Sequence, residues 1–215
     1  MNYNTPRYEY RIFGLNEIDS FIKSLKQYGR KGKVRHISEI YLMTTGNSEN
    51  NIKIRNKLLD IKTLVRQKNG LEQWNPTEVG TFPLAKEKIK NDIFPALGVD
   101  APVFDREVYS LKQFMRELIL VDPDIKVALT EKERYAYDFE GCICEYAEVK
   151  VNGALIRTLS IESENPDLVY KAMAKLNIGK EIENVNYPKA LKRVLGLEID
   201  YDINKFFESK SYGKE

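Results

Sequence analysis

Charged residues stand two apart in a series of strand-like stretches: Arg7, Glu9 and Arg11 in RYEYRIF, Lys53 and Arg55 in NIKIR, Lys62 in LDIKTL, Lys132 and Arg134 in TEKERY, and Glu162 and Glu164 in SIESE. Side chains two apart along a strand share one face, so each stretch offers a charged face and, mostly, an apolar or aromatic one behind it. A solvated face would mix signs. Here lysine and arginine dominate most of the stretches, while carboxylates gather in the first and last. If these faces turn into the lumen of a closed antiparallel barrel, seven cations meet three carboxylates. Their repulsion costs on the order of several kcal/mol unless a strongly anionic ligand or ions compensate. A triphosphate with a divalent cation does so. Guanidinium groups hold phosphate oxygens as two-pronged forks and ammonium groups as point charges. Glu9, Glu162 and Glu164 supply hard oxygen ligands suited to Mg2+ or Mn2+.

The elements that must carry these faces are legible along much of the chain. NEIDSFIKSLKQYG predicts an amphipathic helix with Asn16 as its N-cap, Ile18, Phe21, Ile22 and Leu25 on one stripe, and Gly29 as its stop. GRKGKVRH packs Arg30, Lys31, Lys33, Arg35 and His36 into eight residues and reads as a solvated loop, the alternative being a contact with nucleic acid or a phosphate tail. SEIYLMTT then suits a second strand. NIKIRNKLLDIKTLVRQ reads as strand, turn near residues 56–58, and strand, with Asn69-Gly70 as the next turn. Between residues 69 and 129 the alternation stops and five prolines divide the segment. Helices are expected in LAKEKIKNDIF and SLKQFMRELILV, so that 69–129 forms a helical and loop elaboration. ALTEKERYAYDF, CICEYAEVKV and ALIRTLSIESE predict three consecutive antiparallel strands, joined at Gly141 and at Asn152-Gly153, the latter a strong hairpin signal. Two short helices follow, with Pro166 and Pro188 in their first turns.

With 215 residues, 42% of them hydrophobic, the chain can bury one good core, and a single domain over 1–205 with a frayed tail at 206–215 is expected. A net charge of +2 says little about partners, but its distribution says more. Residues 1–70 hold fourteen Lys/Arg against six Asp/Glu, an excess that would draw phosphates to that half. Cys142 and Cys144 have neither the spacing nor the companions of a zinc site and read as buried thiols in a reducing compartment. No stretch approaches the roughly 20 apolar residues of a membrane span, and the N-terminus has no apolar leader core, so a cytoplasmic protein is expected. His36, the one histidine, has no visible partner for a nucleophilic triad. Trp74 reads as a core or rim residue.

Taken in order, these stretches resemble the CYTH family, the triphosphate tunnel metalloenzymes, which include class IV adenylate cyclases, thiamine triphosphatases, and inorganic and RNA triphosphatases. The family's opening signature is Glu-x-Glu-x-Lys, with Arg in some branches, and the matching residues are Arg7, Glu9 and Arg11. Basic-x-basic follows at Lys53 and Arg55, then Lys62, Lys-x-Arg at Lys132 and Arg134, and the closing Glu-x-Glu at Glu162 and Glu164. NYPKAL, with Tyr187, is similar to the helix that ends many members, so the likeness spans residues 7–195. The resemblance implies an α+β fold whose eight antiparallel strands form a tunnel with covering helices. It also implies a triphosphate in the lumen, and Mg2+ or Mn2+ held by glutamates that organises the phosphates for hydrolysis or for cyclisation. The phosphate-binding residues would be Arg7, Arg11, Lys53, Arg55, Lys62, Lys132 and Arg134; the metal and catalytic set would be Glu9, Glu162 and Glu164, with Lys62 catalytic and Glu145 a further metal ligand. Glu145 and Glu148 have opposite strand parity, so one alone can face the lumen, and Glu145 is favoured.

The departure from the pattern is Arg7, which replaces the first glutamate, a change of two charge units. Either the site works with the remaining glutamates, or hydrolysis is lost and a binding pocket for nucleotides, polyphosphate or RNA ends remains. A third alternative turns the charged faces to solvent and leaves an interaction module.

Overall fold

The computed structural model describes residues 5–16, 18–179 and 181–197. Eight strands close into a ring: β1 (Arg7–Gly14), β2 (Arg30–Met43), β3 (Asn50–Arg55), β4 (Leu58–Lys68), β5 (Leu71–Thr81), and, after the short strands β6 (Leu84–Ala85) and β7 (Val108–Tyr109), β8 (Lys126–Phe139), β9 (Cys142–Val151) and β10 (Ala154–Ser163). Around the ring the order is β1-β10-β9-β8-β2-β3-β4-β5, and β5 returns to β1. Every pairing is antiparallel. The expected α+β tunnel is the observed fold.

Its tight turns follow from residues that tolerate left-handed backbone. Asn152 and Gly153 have φ of 47° and 93°, and Asn69 and Gly70 have φ of 50° and 85°, so each pair suits the twist that joins two adjacent strands. The helix Asp19–Tyr28 buries Phe21, Ile22 and Leu25. It begins differently from the expectation: Ile18 holds the N-cap position with no side-chain bond, and Asn16 contributes its carbonyl to the Asp19 N–H instead.

Three apolar clusters surround the charged lumen. Helix Asp19–Tyr28 and helix Pro166–Lys175 pack on the outer faces of β1, β8, β9 and β10 through residues such as Leu25, Leu159, Ile161 and Val169. Helical segments 86–97 and 111–119 cover the outer faces of β2, β3 and β4 through Phe94, Phe114, Ile119, Ile52 and Leu59. The helix Tyr187–Val194 brings Tyr187 and Leu191 against Tyr41, Met43, Ala128, Ala147, Val149 and Val151, and so plugs one end of the barrel.

Two expectations are corrected here. Residues 71–81 are not part of a loop elaboration but the ring strand β5, and the helices that follow cover a wall of the barrel. The stretch GRKGKVRH is not a loop: β2 starts at Arg30 and pairs with β8 across a bulge between Lys31 and Val34. The tail at 206–215 lies outside the described residues. No helix among the described residues is long and apolar enough to cross a membrane.

Candidate functional site

One small cavity of about 60 Å3 occupies the lumen. It is lined by Glu9 and Arg11 of β1, Glu39 and Tyr41 of β2, Asn51 and Lys53 of β3, Lys62 of β4, Trp74 of β5, Lys132 and Arg134 of β8, Glu145 of β9 and Glu162 of β10, with Asn186 and Tyr187 entering from the plug. Cross-strand register explains the convergence. Glu9 stands opposite Glu162 on one side and opposite Glu72 on the other, a row of three carboxylates, while Arg11 stands opposite Ser160 and Lys53 opposite Asp60.

Each buried charge is held by an opposite one. Arg11 Nε donates to Glu9 Oε1 at 2.6 Å, and Lys62 Nζ lies 3.6 Å from Glu9 Oε2. Lys132 Nζ is 2.6 Å from Glu39 Oε2 and donates at 2.6 Å to Tyr41 Oη, which itself donates to Glu39 at 2.9 Å. Lys53 Nζ reaches Asp60 at 3.1 Å; Arg55 lies between Glu39 at 3.6 Å and Asp60 at 3.9 Å. Arg134 Nε donates to Glu145 at 2.6 Å, and Glu162 lies 3.8 Å from both Arg7 and Arg11. The expected imbalance of seven cations over three carboxylates is thus corrected: Glu39, Asp60 and Glu145 neutralise much of it from within. The signal for two of them was present, since Glu39-x-Tyr41 and Asp60-x-Lys62 alternate in the same way.

Burial alone would raise the carboxyl of Glu9, yet Arg11 and Lys62 hold it down at about 2. Lys132 does the same for Glu39, also about 2. For Lys132 burial wins over the attraction of Glu39 and pushes the ammonium down to about 8. Lys53 is likewise lowered by burial, whereas Glu162 and Glu9 outweigh burial at Lys62 and raise it. Tyr187, with Lys132 Nζ 3.7 Å and the Arg11 guanidinium 4.6 Å from its ring centre, is raised by burial. Asn51 Oδ1, Ser160 Oγ and Tyr187 Oη are buried without a hydrogen-bond partner. Buried polar atoms in that condition mark places for water or a ligand.

The expected site residues divide clearly. Glu9, Arg11, Lys53, Lys62, Lys132, Arg134, Glu145 and Glu162 meet around the cavity, and Arg7 and Arg55 join their ion pairs. Glu164 does not: it is exposed, past the end of β10. Parity separates Glu145 in the lumen from Glu148, which lines a different pocket with His36 and Glu133. His36 is exposed and lies 3.7 Å from Glu133; Cys142 and Cys144 are buried free thiols; Trp74 is buried in the lumen wall and donates to Glu72 at 3.2 Å. Glu39, Asp60, Tyr41 and Asn51 are the residues that sequence reasoning missed.

Among the described residues no three His, Cys, Asp or Glu side chains group as a cation cage. The donor chemistry nonetheless fits Mg2+, which takes one or two carboxylates together with substrate phosphates rather than an all-protein cage. Glu9 and Glu162, directly opposed on β1 and β10, are the residues that would supply such a pair.

No family model and no curated protein matches the sequence. Solved structures do. A protein from Hippeastrum, studied as an adenylyl cyclase and described as having a dominant triphosphatase activity, superposes with a TM-score of 0.50 at 14% identity, over 91% of this chain and 97% of that one. The PH1012 protein of Pyrococcus horikoshii superposes with a TM-score of 0.48 at 13% identity, over 85% of this chain and 97% of its own. Identities this low speak for fold alone, and the fold shared is the closed ring of eight antiparallel strands.

Proposed function

We propose that the tunnel binds a triphosphate-bearing substrate and, with Mg2+ or Mn2+, hydrolyses it. The observation that carries this reading is the convergence of five cations, from β1, β3, β4 and β8, on one lumen whose deep end is closed by the plug, with Arg7 and Arg55 paired to its carboxylates. Side-chain exposure grades along it, from 3–5% at Glu39, Lys132 and Arg11 to 28% at Arg134 and 33% at Arg55. A triphosphate entering from the exposed end offers its oxygens to Lys62, Arg55 and Arg134 first, then to Arg7 and Lys53, and its terminal group to Arg11 and Lys132. Each phosphate oxygen takes over hydrogen bonds that Glu9, Glu39, Asp60, Glu145 and Glu162 hold in its place, so the cations are oriented before the ligand arrives. Such preorganised charge stabilises the transferring phosphoryl group in a site from which water is largely excluded. A divalent cation, when bound, supplies Lewis acidity toward the phosphoryl oxygens. Held at about 2, Glu9 stays ionised and orients donors as an acceptor; it is a poor proton acceptor for an attacking water.

A second reading, binding without turnover, rests on Arg7, whose guanidinium lies 3.8 Å from Glu162 where the family pattern has a carboxylate. The two are separated by incubating the protein with tripolyphosphate, ATP and thiamine triphosphate, each with Mg2+, Mn2+ or EDTA, alongside Arg7→Glu. Metal-dependent orthophosphate release by the natural sequence supports the hydrolase, and release by Arg7→Glu alone supports the binder. Pyrophosphate release points to cyclisation. Unchanged triphosphate binding in Lys53→Ala and Lys132→Ala would sink the tunnel reading itself. Two buried thiols, Cys142 and Cys144, suit a reducing compartment, so the proposed site of action is the cytoplasm.

A further inference from the structure

The ring is stitched least firmly where it closes. β1 and β5 pair only from Arg7–Trp74 to Glu9–Glu72, and past Glu9 the segment 184–186 lies beside β1 instead. The Asn184 side chain accepts from the Arg11 N–H at 2.8 Å and donates to the carbonyls of Glu9 at 3.3 Å and Gly70 at 2.9 Å, while the Val185 N–H donates to the Arg11 carbonyl at 2.7 Å. Asn186 Nδ2 then donates to both oxygens of Glu72, at 3.0 and 3.2 Å, and Trp74 Nε1 donates to the same carboxylate at 3.2 Å. Side-chain amides, more than a ladder of backbone bonds, hold this seam.

Both sides of the seam are hollow. Asn186 lines the lumen cavity and also a pocket of about 590 Å3 outside it, which Glu72 shares and which Arg66, Lys189 and Glu49 border. The contact of Asn186 with Glu72 is therefore a latch between the deep end of the lumen and the outer pocket. A like charge weakens it: Glu72 stands directly opposite Glu9, an arrangement that destabilises a sheet. On the lumen side Tyr187 Oη is buried without a hydrogen-bond partner, which marks a place for water or a ligand beside the latch.

Hydrolysis of a triphosphate by water yields orthophosphate and a diphosphate. With the terminal group deepest, against Arg11 and Lys132, orthophosphate forms at the plug end and the diphosphate lies between it and the mouth. We propose that orthophosphate leaves by a second doorway, through the seam between β5 and the plug into the outer pocket, while the diphosphate is still bound; the inference rests on the triphosphate-hydrolysing reading of the lumen. An arriving phosphate oxygen competes with Glu72 for the Asn186 and Trp74 donors, so the ion that must leave is the one that opens the latch, and Arg66 and Lys189 lie beyond it. Product release limits the turnover of many enzymes, and separate exits free the deep product from waiting for the other.

The test follows a single turnover of tripolyphosphate with Mg2+ and times three events: cleavage by quenched flow, orthophosphate release by a fluorescent phosphate-binding reporter, and pyrophosphate release by a pyrophosphate sensor. The proteins are the natural chain and Arg66→Cys, the latter before and after coupling to a bulky maleimide. Arg66 is exposed, whereas Cys142 and Cys144 are buried and escape the reagent. In the natural protein orthophosphate is expected to appear before pyrophosphate. Coupling should slow orthophosphate release tenfold or more and leave the cleavage rate, pyrophosphate release and tripolyphosphate affinity unchanged; the uncoupled variant separates bulk from lost charge. Orthophosphate that leaves with or after pyrophosphate in the natural protein overturns the proposal, as does coupling that slows neither product or both equally. Absence of cleavage overturns the hydrolase reading and the doorway with it, whereas cleavage in which both products leave together overturns the doorway alone.

Discussion

Lys132 is the residue on which the lumen turns. It is almost fully buried, it bonds Glu39 and Tyr41 at 2.6 Å each, and its ammonium sits over the Tyr187 ring. Because burial brings its pKa down to about 8, it is charged at neutral pH and loses its proton within reach of an ordinary titration. Triphosphate affinity should therefore fall as pH rises through about 8, as measured by calorimetric titration between pH 6.5 and 9. Lys132→Arg should abolish that inflection, since a guanidinium stays protonated. Glu39 is the other half of the same device. Glu39→Gln leaves Lys132 and Arg55 facing each other across a buried space without their shared counter-charge, and removing one member of a buried pair costs about 3–5 kcal/mol. For a chain of this size that corresponds to a melting temperature lower by roughly 10 °C, readable by circular dichroism. A loss of 1 °C or less would mean that the pair is solvated in solution.

Among the elements, hairpins were legible and the ring's closing strand was not. Asn152-Gly153 marks the turn between β9 and β10 because both residues need positive φ there. In β5, LEQWNPTEVGT, buried positions do not alternate, and register shifts at Leu59/Asp60 and Leu64/Arg66 interrupt its pairing with β4. A bulge reverses parity, so a strand that carries one loses the period by which strands are recognised in sequence. Pro76 adds to the disguise. It is tolerated because β1 is paired with β5 only opposite Glu72 to Trp74, so Pro76 has a single neighbouring strand among the described residues. The plug helix makes its own prediction. Leu191 is fully buried against the barrel end, and Leu191→Ala should cost about 2–5 kcal/mol. With the plug loosened, amide hydrogen exchange should rise around Tyr41, Ala147 and Tyr187; protection that remains native would show that the helix is not what seals this end.

At the scale of the whole molecule, stability and site are one network. Glu9 and Glu39 have folded-state values near 2 against an ordinary 4.5. A depressed carboxyl contributes stability that is fully present above the unfolded value and is lost as pH falls toward the folded one. For Glu39 this amounts to on the order of 3 kcal/mol. The melting temperature should hold steady down to about pH 5 and fall between pH 4.5 and 2, with a shallower fall in Glu39→Gln; identical acid profiles would remove the pair from the account. By itself the sequence determined the alternation that puts Arg7, Glu9 and Arg11 on one face, the same pattern in β3, β8 and β10, and the turns that join those strands, because all of these depend on residues near one another in the chain. Only the tertiary structure decided that β5 completes the ring, that Glu39 and Asp60 answer the lumen's cations, that Glu164 falls outside it and that the last described helix closes one end. Parity along a strand says which side chains share a face, but which face turns inward, and which charges meet across it, is set by register and closure among strands far apart in sequence.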